Sequence, residues 1–267
     1  MRRVLGSAMV MAVFLGVGSG AAPGGMQAPE RYYLALGDSI AYGFQPTKPN
    51  TAPASAFRGY VDVFAARLEK ISPQIEVVNY SCPGESTVTF AKGRCPTLPG
   101  AKLHDPYRGP QLRAAVSFLR GHPDQVSPIT LTLWGAELAP LSAKGKRAQK
   151  AIASFAPRFT AILRQLRAAA PNAEIIVTGA WNPEANGLAQ TTPLYRSVDR
   201  VIRRAATGSR ARVANMFAAF NGPGKPAAQK ARLCRLTYSC KADPHPNDAG
   251  YRVMADAFLA ASGYPRR

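Results

Sequence analysis

A chain of 267 residues, 46% of them hydrophobic, is long and apolar enough to bury a core and short enough to do so in one domain. That composition excludes a largely disordered protein. Lys and Arg outnumber Asp and Glu by 34 to 15, a formal charge of +19. The basic residues are dispersed and no nucleic-acid-binding motif accompanies them. Nucleic acid is therefore not an expected partner. The charge is either a plain solvated surface or an attraction toward anionic lipid or acidic wall polymer.

The chain opens with Arg2 and Arg3, followed by an apolar run over residues 4–17 and small residues, with Ser19 and Ala21 at the −3 and −1 positions of a cleavage site. Residues 1–21 read as a secretory signal peptide. No cysteine follows the run to carry a lipid anchor, and nothing later is long and apolar enough to span a bilayer. The protein is expected to be secreted, with no transmembrane anchor after the signal is removed. Residues 22–31 form a Pro/Gly-rich, flexible N-terminal segment, and residues 32–267 a single domain.

Within that domain, residues 32–36 make a short apolar strand that stops at Gly37-Asp38-Ser39. Prolines mark residues 44–55 as loop. Residues 60–70 are predicted helical, with Val61, Phe64, Ala65 and Leu68 on one face. A strand over 75–79, a cysteine-bearing loop over 80–109, a helix over 111–120 and a strand over 129–134 follow. Then come a long helix over 149–170, a strand over 174–178, a helix over 197–206 and a weaker strand over 212–216. A loop over 221–247 and a closing amphipathic helix over 248–261 complete the chain. Strands alternating with helices require crossovers, and hence a parallel sheet with helices on both faces: a three-layer α/β/α sandwich of about five strands. Ligands of such sheets bind beyond the carboxyl ends of the strands.

Export permits disulfides. Four cysteines allow three pairings. The local pairs Cys82 with Cys95 and Cys234 with Cys240 are preferred, because each sits in a Gly/Pro-rich or polar loop. The spacing of the second pair is too wide for a zinc half-site, and no histidine lies near the first. No metal or cofactor is expected.

Ser39 follows the first strand, Gly84 lies just past the second, and Gly135-Ala136-Glu137 follows the third. A serine hydroxyl is a weak nucleophile that needs a base, and the base needs an orienting group. His245 is the candidate base, since His104 and His122 lie in loop or turn settings. In Asp243-Pro244-His245-Pro246 each proline pushes its predecessor toward extended backbone. Asp243 and His245, two apart, then face the same way. Asp248 is the second choice of orienter.

Leu36-Gly37-Asp38-Ser39-Ile40-Ala41-Tyr42-Gly43 resembles the first block of the GDSL/SGNH hydrolases, secreted bacterial lipase/esterase-like branch. Cys82-Pro83-Gly84-Glu85-Ser86-Thr87 resembles the second, and Asp243-Pro244-His245-Pro246-Asn247 the last. The resemblance spans residues 32–264. It implies an SGNH-hydrolase-like fold of flavodoxin-like topology and a serine esterase or lipase that needs no cofactor. Its substrates would be acyl or acetyl esters of lipids or sugars. Ser39 would be the nucleophile, His245 the base and Asp243 its orienter, with an oxyanion hole from the Ser39 and Gly84 backbone N–H groups.

The third block departs from the family. Where Gly-x-Asn-Asp is usual, this chain has Gly135-Ala136-Glu137-Leu138, so Glu137 stands in the oxyanion hole's asparagine position. An ionised carboxylate donates no hydrogen bond. Loss of one such donor costs about 10²–10³ in rate. Three arrangements would spare the hole: a protonated Glu137, a Glu137 turned away from it, or another amide such as Asn182 in its place. Otherwise the chain is a weakened relative that binds acylated or anionic envelope ligands. An O-acyltransferase is a further alternative.

Overall fold

The computed structural model describes residues 28–96, 100–138 and 145–265; the expected signal peptide over residues 1–21 lies outside them. From the first strand the order is β1 (Tyr32–Gly37), α1 (Ser39–Tyr42), α2 (Tyr60–Leu68), β2 (Glu76–Asn79), α3 (Thr87–Lys92), α4 (Gln111–Gly121) and β3 (Val126–Thr132). There follow α5 (Gly135–Leu138), α6 (Lys146–Ala169), β4 (Ile175–Thr178), α7 (Leu188–Gly208), β5 (Arg212–Ala214), α8 (Pro226–Leu236) and α9 (Asp248–Ala261). The strands pair in the order β2-β1-β3-β4-β5, every neighbour parallel.

This order dictates where the helices go. The step from β1 to β2 moves one way across the sheet and every later step moves the other way. Right-handed crossovers therefore put the intervening helices on opposite faces. Accordingly α2 and α9 pack together, while α3, α4, α6 and α7 pack into the other layer. All six residues of β1, all seven of β3 and all four of β4 are buried, as expected of strands covered on both faces. Beneath one face, Phe64 of α2 meets Tyr33 edge-on and Phe258 of α9 stacks on Tyr60. Phe155 and Phe159 of α6, both buried, stack in the other layer. Among the described residues no helix is long and apolar enough to cross a membrane.

The expected loop over residues 221–247 is corrected by α8. Pro at its first helical position starts it well, but only Leu233 and Leu236 are buried, too thin a stripe to announce a helix. Helix α7 begins nine residues before its expected start, despite Pro193 inside it. Its first turn is held from outside: Asn182 Nδ2 donates to Leu188 O, Thr191 Oγ1 and Thr192 Oγ1.

The strand order reverses between β1 and β3, which leaves a crevice at their carboxyl ends. The residues after both strands meet there.

Candidate active site

The end of β1 is built around a close approach. Gly37 has φ +127°, and a Cβ there would lie 1.9 Å from Thr132 O of β3, so only glycine fits. Gln111, fully buried at the start of α4, grips the same residue twice. Its Oε1 accepts from the Gly37 N–H at 2.6 Å and its Nε2 donates to Gly37 O at 3.0 Å. Asp38 then caps α1, accepting from the Ile40 N–H and from Thr132 Oγ1, each at 3.0 Å. Burial pushes the Asp38 carboxyl up to about 6, against the pull of those hydrogen bonds. Ser39 is the first residue of α1, so its N–H has no acceptor one turn back.

His245 reaches Ser39 from the far end of the chain. Its Nε2 lies 2.8 Å from Ser39 Oγ and its Nδ1 2.7 Å from Asp243 Oδ1. A carboxylate opposite Nδ1 accepts only, which places the proton on Nδ1 and leaves Nε2 free to accept from the serine hydroxyl. The same Asp243 oxygen accepts from the His245 backbone N–H at 2.9 Å. Burial alone would raise the Asp243 carboxyl; the hydrogen bonds and charge of His245 outweigh it and hold it below the usual range. The segment is pinned from behind. Thr237 bridges Pro246, the Tyr238 N–H donates to His245 O, and Cys234 and Cys240 are joined in a disulfide next to it. The Phe44 ring stands edge-on to the imidazole at 4.7 Å between centroids.

The other candidates lie elsewhere. Asp248 accepts from Gln45 Nε2. His104 Nε2 bonds Tyr42 O, and His122 Nδ1 bonds Phe118 O. Asn182 is fully buried, its amide spent on α7.

Gly84 sits in the loop after β2 with φ +82°, a conformation that suits glycine. That loop is tied to β1 through the Cys82 N–H, which donates to Gly37 O at 2.9 Å, and is closed by the Cys82–Cys95 disulfide. Its next residue, Glu85, is buried and accepts from Gln111 Nε2 at 3.0 Å. Burial pushes the Glu85 carboxyl up to about 7; hydrogen bonds from Thr89 and Gln111 counter this, and the Asp38 charge adds to it.

Glu137 is turned to α3. Its Oε2 accepts from the Thr87 N–H at 3.0 Å and from Thr87 Oγ1 at 2.6 Å, and its Oε1 pairs with the Arg158 guanidinium. Arg158 Nε donates in turn to Thr87 Oγ1 at 2.7 Å. Leu138, where the family has aspartate, is buried in the core. Sequence reasoning missed Gln111, Thr87 and Arg158. Gln111 and Arg158 lie outside every motif and Thr87 only closes the second block, so tertiary contacts alone single them out.

Ser39, Gly84 and His245 line one cavity of about 610 Å³. Its walls include Phe44, Pro83, Trp134, Trp181 and Pro183; Gly135 and Ala136 face it and Glu137 does not. A hydroxyl, an imidazole and a half-buried carboxylate in series, at the edge of an apolar chamber, can activate the hydroxyl for attack on an acyl group.

The profile of the GDSL-like Lipase/Acylhydrolase family matches residues 35–253. No curated protein matches the chain. Among solved structures, a lipase from a goat rumen metagenome superposes with a TM-score of 0.62 at 16% identity, covering 87% of this chain and 98% of its own. An acetylxylan esterase from Geobacillus stearothermophilus gives 0.57 at 17%, over 90% and 99%. An alpha/beta hydrolase from the metagenome of Lake Arreo, Spain, gives 0.57 at 19%, over 91% and 99%. At such identities the likeness speaks to the fold.

Proposed function

Because this chain belongs to the GDSL-like lipase/acylhydrolase family, and is thereby a hydrolase acting on esters, we propose that it is a secreted serine esterase working through an acyl-enzyme on Ser39. The observation that carries this reading is the series Ser39 Oγ, His245 and Asp243, joined at 2.8 and 2.7 Å at the wall of the apolar cavity.

In this mechanism Ser39 Oγ attacks the ester carbonyl while its proton passes to His245 Nε2. Asp243 stabilises the imidazolium without taking the proton. The carbonyl oxygen gains a negative charge, which the Ser39 and Gly84 N–H groups stabilise. His245 then returns the proton to the departing alkoxide, and the alcohol leaves. Water enters, gives a proton to His245 Nε2 and attacks the acyl carbon; the bond from that carbon to Ser39 Oγ then breaks, His245 passes the proton to Oγ, and the acid leaves. The apolar walls favour an acyl chain of several carbons over acetate, since burying each CH₂ contributes about 0.8 kcal/mol. The two disulfides and the N-terminal sequence pattern support export.

The test is hydrolysis of p-nitrophenyl esters from acetate to octanoate by the mature protein, beside Ser39→Ala and Asp243→Asn. Turnover that rises with chain length, vanishes in Ser39→Ala and falls about 10³–10⁴-fold in Asp243→Asn is expected. Absence of Ser39-dependent turnover across a broad ester panel would leave a ligand-binding relative. Preferential acyl transfer to an added alcohol would mark a transferase.

A further inference from the structure

Glu137 occupies the place of an oxyanion-hole amide yet bonds nothing in that hole. Its carboxylate closes a ring with Thr87 and Arg158: Thr87 gives it both its N–H and its hydroxyl proton, and Arg158 bonds both of the others. Thr87 is fully buried, while the Glu137 side chain is 15% exposed and the Arg158 side chain 35%.

The ring has a particular address. Thr87 is the first residue of α3, whose N-cap Ser86 accepts from the Thr89 N–H. The Thr87 N–H is therefore one of the helix's orphan donors, and Glu137 supplies the acceptor and the negative charge that a helix start favours. Three residues before Thr87 stands Gly84, in the left-handed region. The loop between is held on the near side by the Cys82 N–H on Gly37 O and by Glu85 on Gln111. The Glu137–Arg158 ring is the hold on the far side, reaching from α5 and α6.

We infer that Glu137 and Arg158 are positioning residues of the oxyanion hole, holding the Gly84 N–H in place through Thr87. The inference rests on the reading of Ser39 as nucleophile and Gly84 as donor. The chain has exchanged a side-chain donor inside the hole for a brace on its backbone donor. A displacement of about 1 Å in a positioned group costs about 10²-fold, so an unbraced Gly84 lowers the rate without weakening ground-state binding.

The experiment compares wild type with Glu137→Ala, Glu137→Asn, Glu137→Gln and Arg158→Met. Readouts are kcat and KM on one p-nitrophenyl ester, affinity for an arylboronic acid that forms a tetrahedral adduct on serine, and hydrogen exchange over residues 84–90. Glu137→Ala and Arg158→Met are expected to lower kcat about 10- to 100-fold with KM within about twofold. Boronate affinity should fall in proportion and exchange over 84–90 should quicken. Glu137→Gln keeps an acceptor for the Thr87 N–H and should lose less. Glu137→Asn restores the family's residue but falls one methylene short of Thr87, so its rate should drop too. A faster Glu137→Asn, or kcat and boronate affinity unchanged in Glu137→Ala, would overturn the inference while Ser39-dependent turnover left the esterase reading standing. Wild type without Ser39-dependent turnover would remove both. Should Glu137→Ala fail to fold, Arg158→Met, which keeps a long apolar side chain on α6, decides.

Discussion

Ser39 gains its setting from residues that carry no charge of their own in the reaction. Thr132, through its carbonyl oxygen, requires glycine before the Asp38 cap, and Gln111 fixes the Gly37 peptide from both sides. Below them Glu85 is a buried carboxyl raised from 4.5 to about 7, and this has a consequence for stability. Below about pH 4.5 both the folded and the unfolded chain hold its proton. Between that value and about 7 only the folded chain does, so the unfolded state binds fewer protons and stability falls as pH rises across the window. The full shift corresponds to on the order of 3 kcal/mol. Glu85→Gln removes this titration and keeps an acceptor for Gln111. Its melting temperature relative to wild type should therefore rise between pH 5 and pH 8. An offset that is the same at both pH values would show that Glu85 is not held protonated by the fold.

At the scale of elements, the site is three loops and the devices that stiffen them. The Gly84 loop is closed by Cys82–Cys95, 13 residues apart, and the His245 segment is backed by Cys234–Cys240, 6 apart. Closing loops of these lengths removes unfolded-state entropy worth about 3 and about 2 kcal/mol respectively. Replacing Cys82 and Cys95 together by alanine should lower unfolding free energy by about 3 kcal/mol in urea titration, and more than the matching change at Cys234 and Cys240. Equal losses would mean that loop length does not govern their effect. These loops also explain which elements were legible in advance. The β1 run announces itself because it is apolar throughout and buried on both faces, and the α2 stripe because its burial follows the helical period. Helix α8 does not, because two buried leucines make no pattern, and the first half of α7 does not, because Asn182, six residues before its first residue, holds the turn that Pro193 would otherwise disfavour.

For the whole molecule, the dominant quantity is the charge. With the proposed export, removal of residues 1–21, which carry Arg2 and Arg3 and no acid, would leave +17. Attraction of this size is long-ranged in dilute buffer and screened to about 3 Å at 1 M salt. The protein lacking residues 1–21 should sediment with vesicles containing anionic lipid at low ionic strength and stay in solution at 1 M salt. Binding that is indifferent to salt, or equal on neutral vesicles, would assign the charge to solubility alone.

The alternation of apolar strands and helices determined the three-layer parallel architecture, because burial on both faces leaves little choice of arrangement. The runs around Ser39, Gly84 and His245 likewise offered a candidate nucleophile, base and orienter, since those roles are distinguishable by side chain, and the fold brings Ser39, His245 and Asp243 into one hydrogen-bonded series. What the sequence could not determine was where Glu137 points. From Gly135-Ala136-Glu137-Leu138 alone the carboxylate reads as an intruder in the oxyanion hole. Only the tertiary structure, by bringing Thr87 of α3 and Arg158 of α6 beside it, turns it outward. An ionised side chain goes to the cation and the orphan helix N–H within its reach, and those partners lie 50 residues before it and 21 after it.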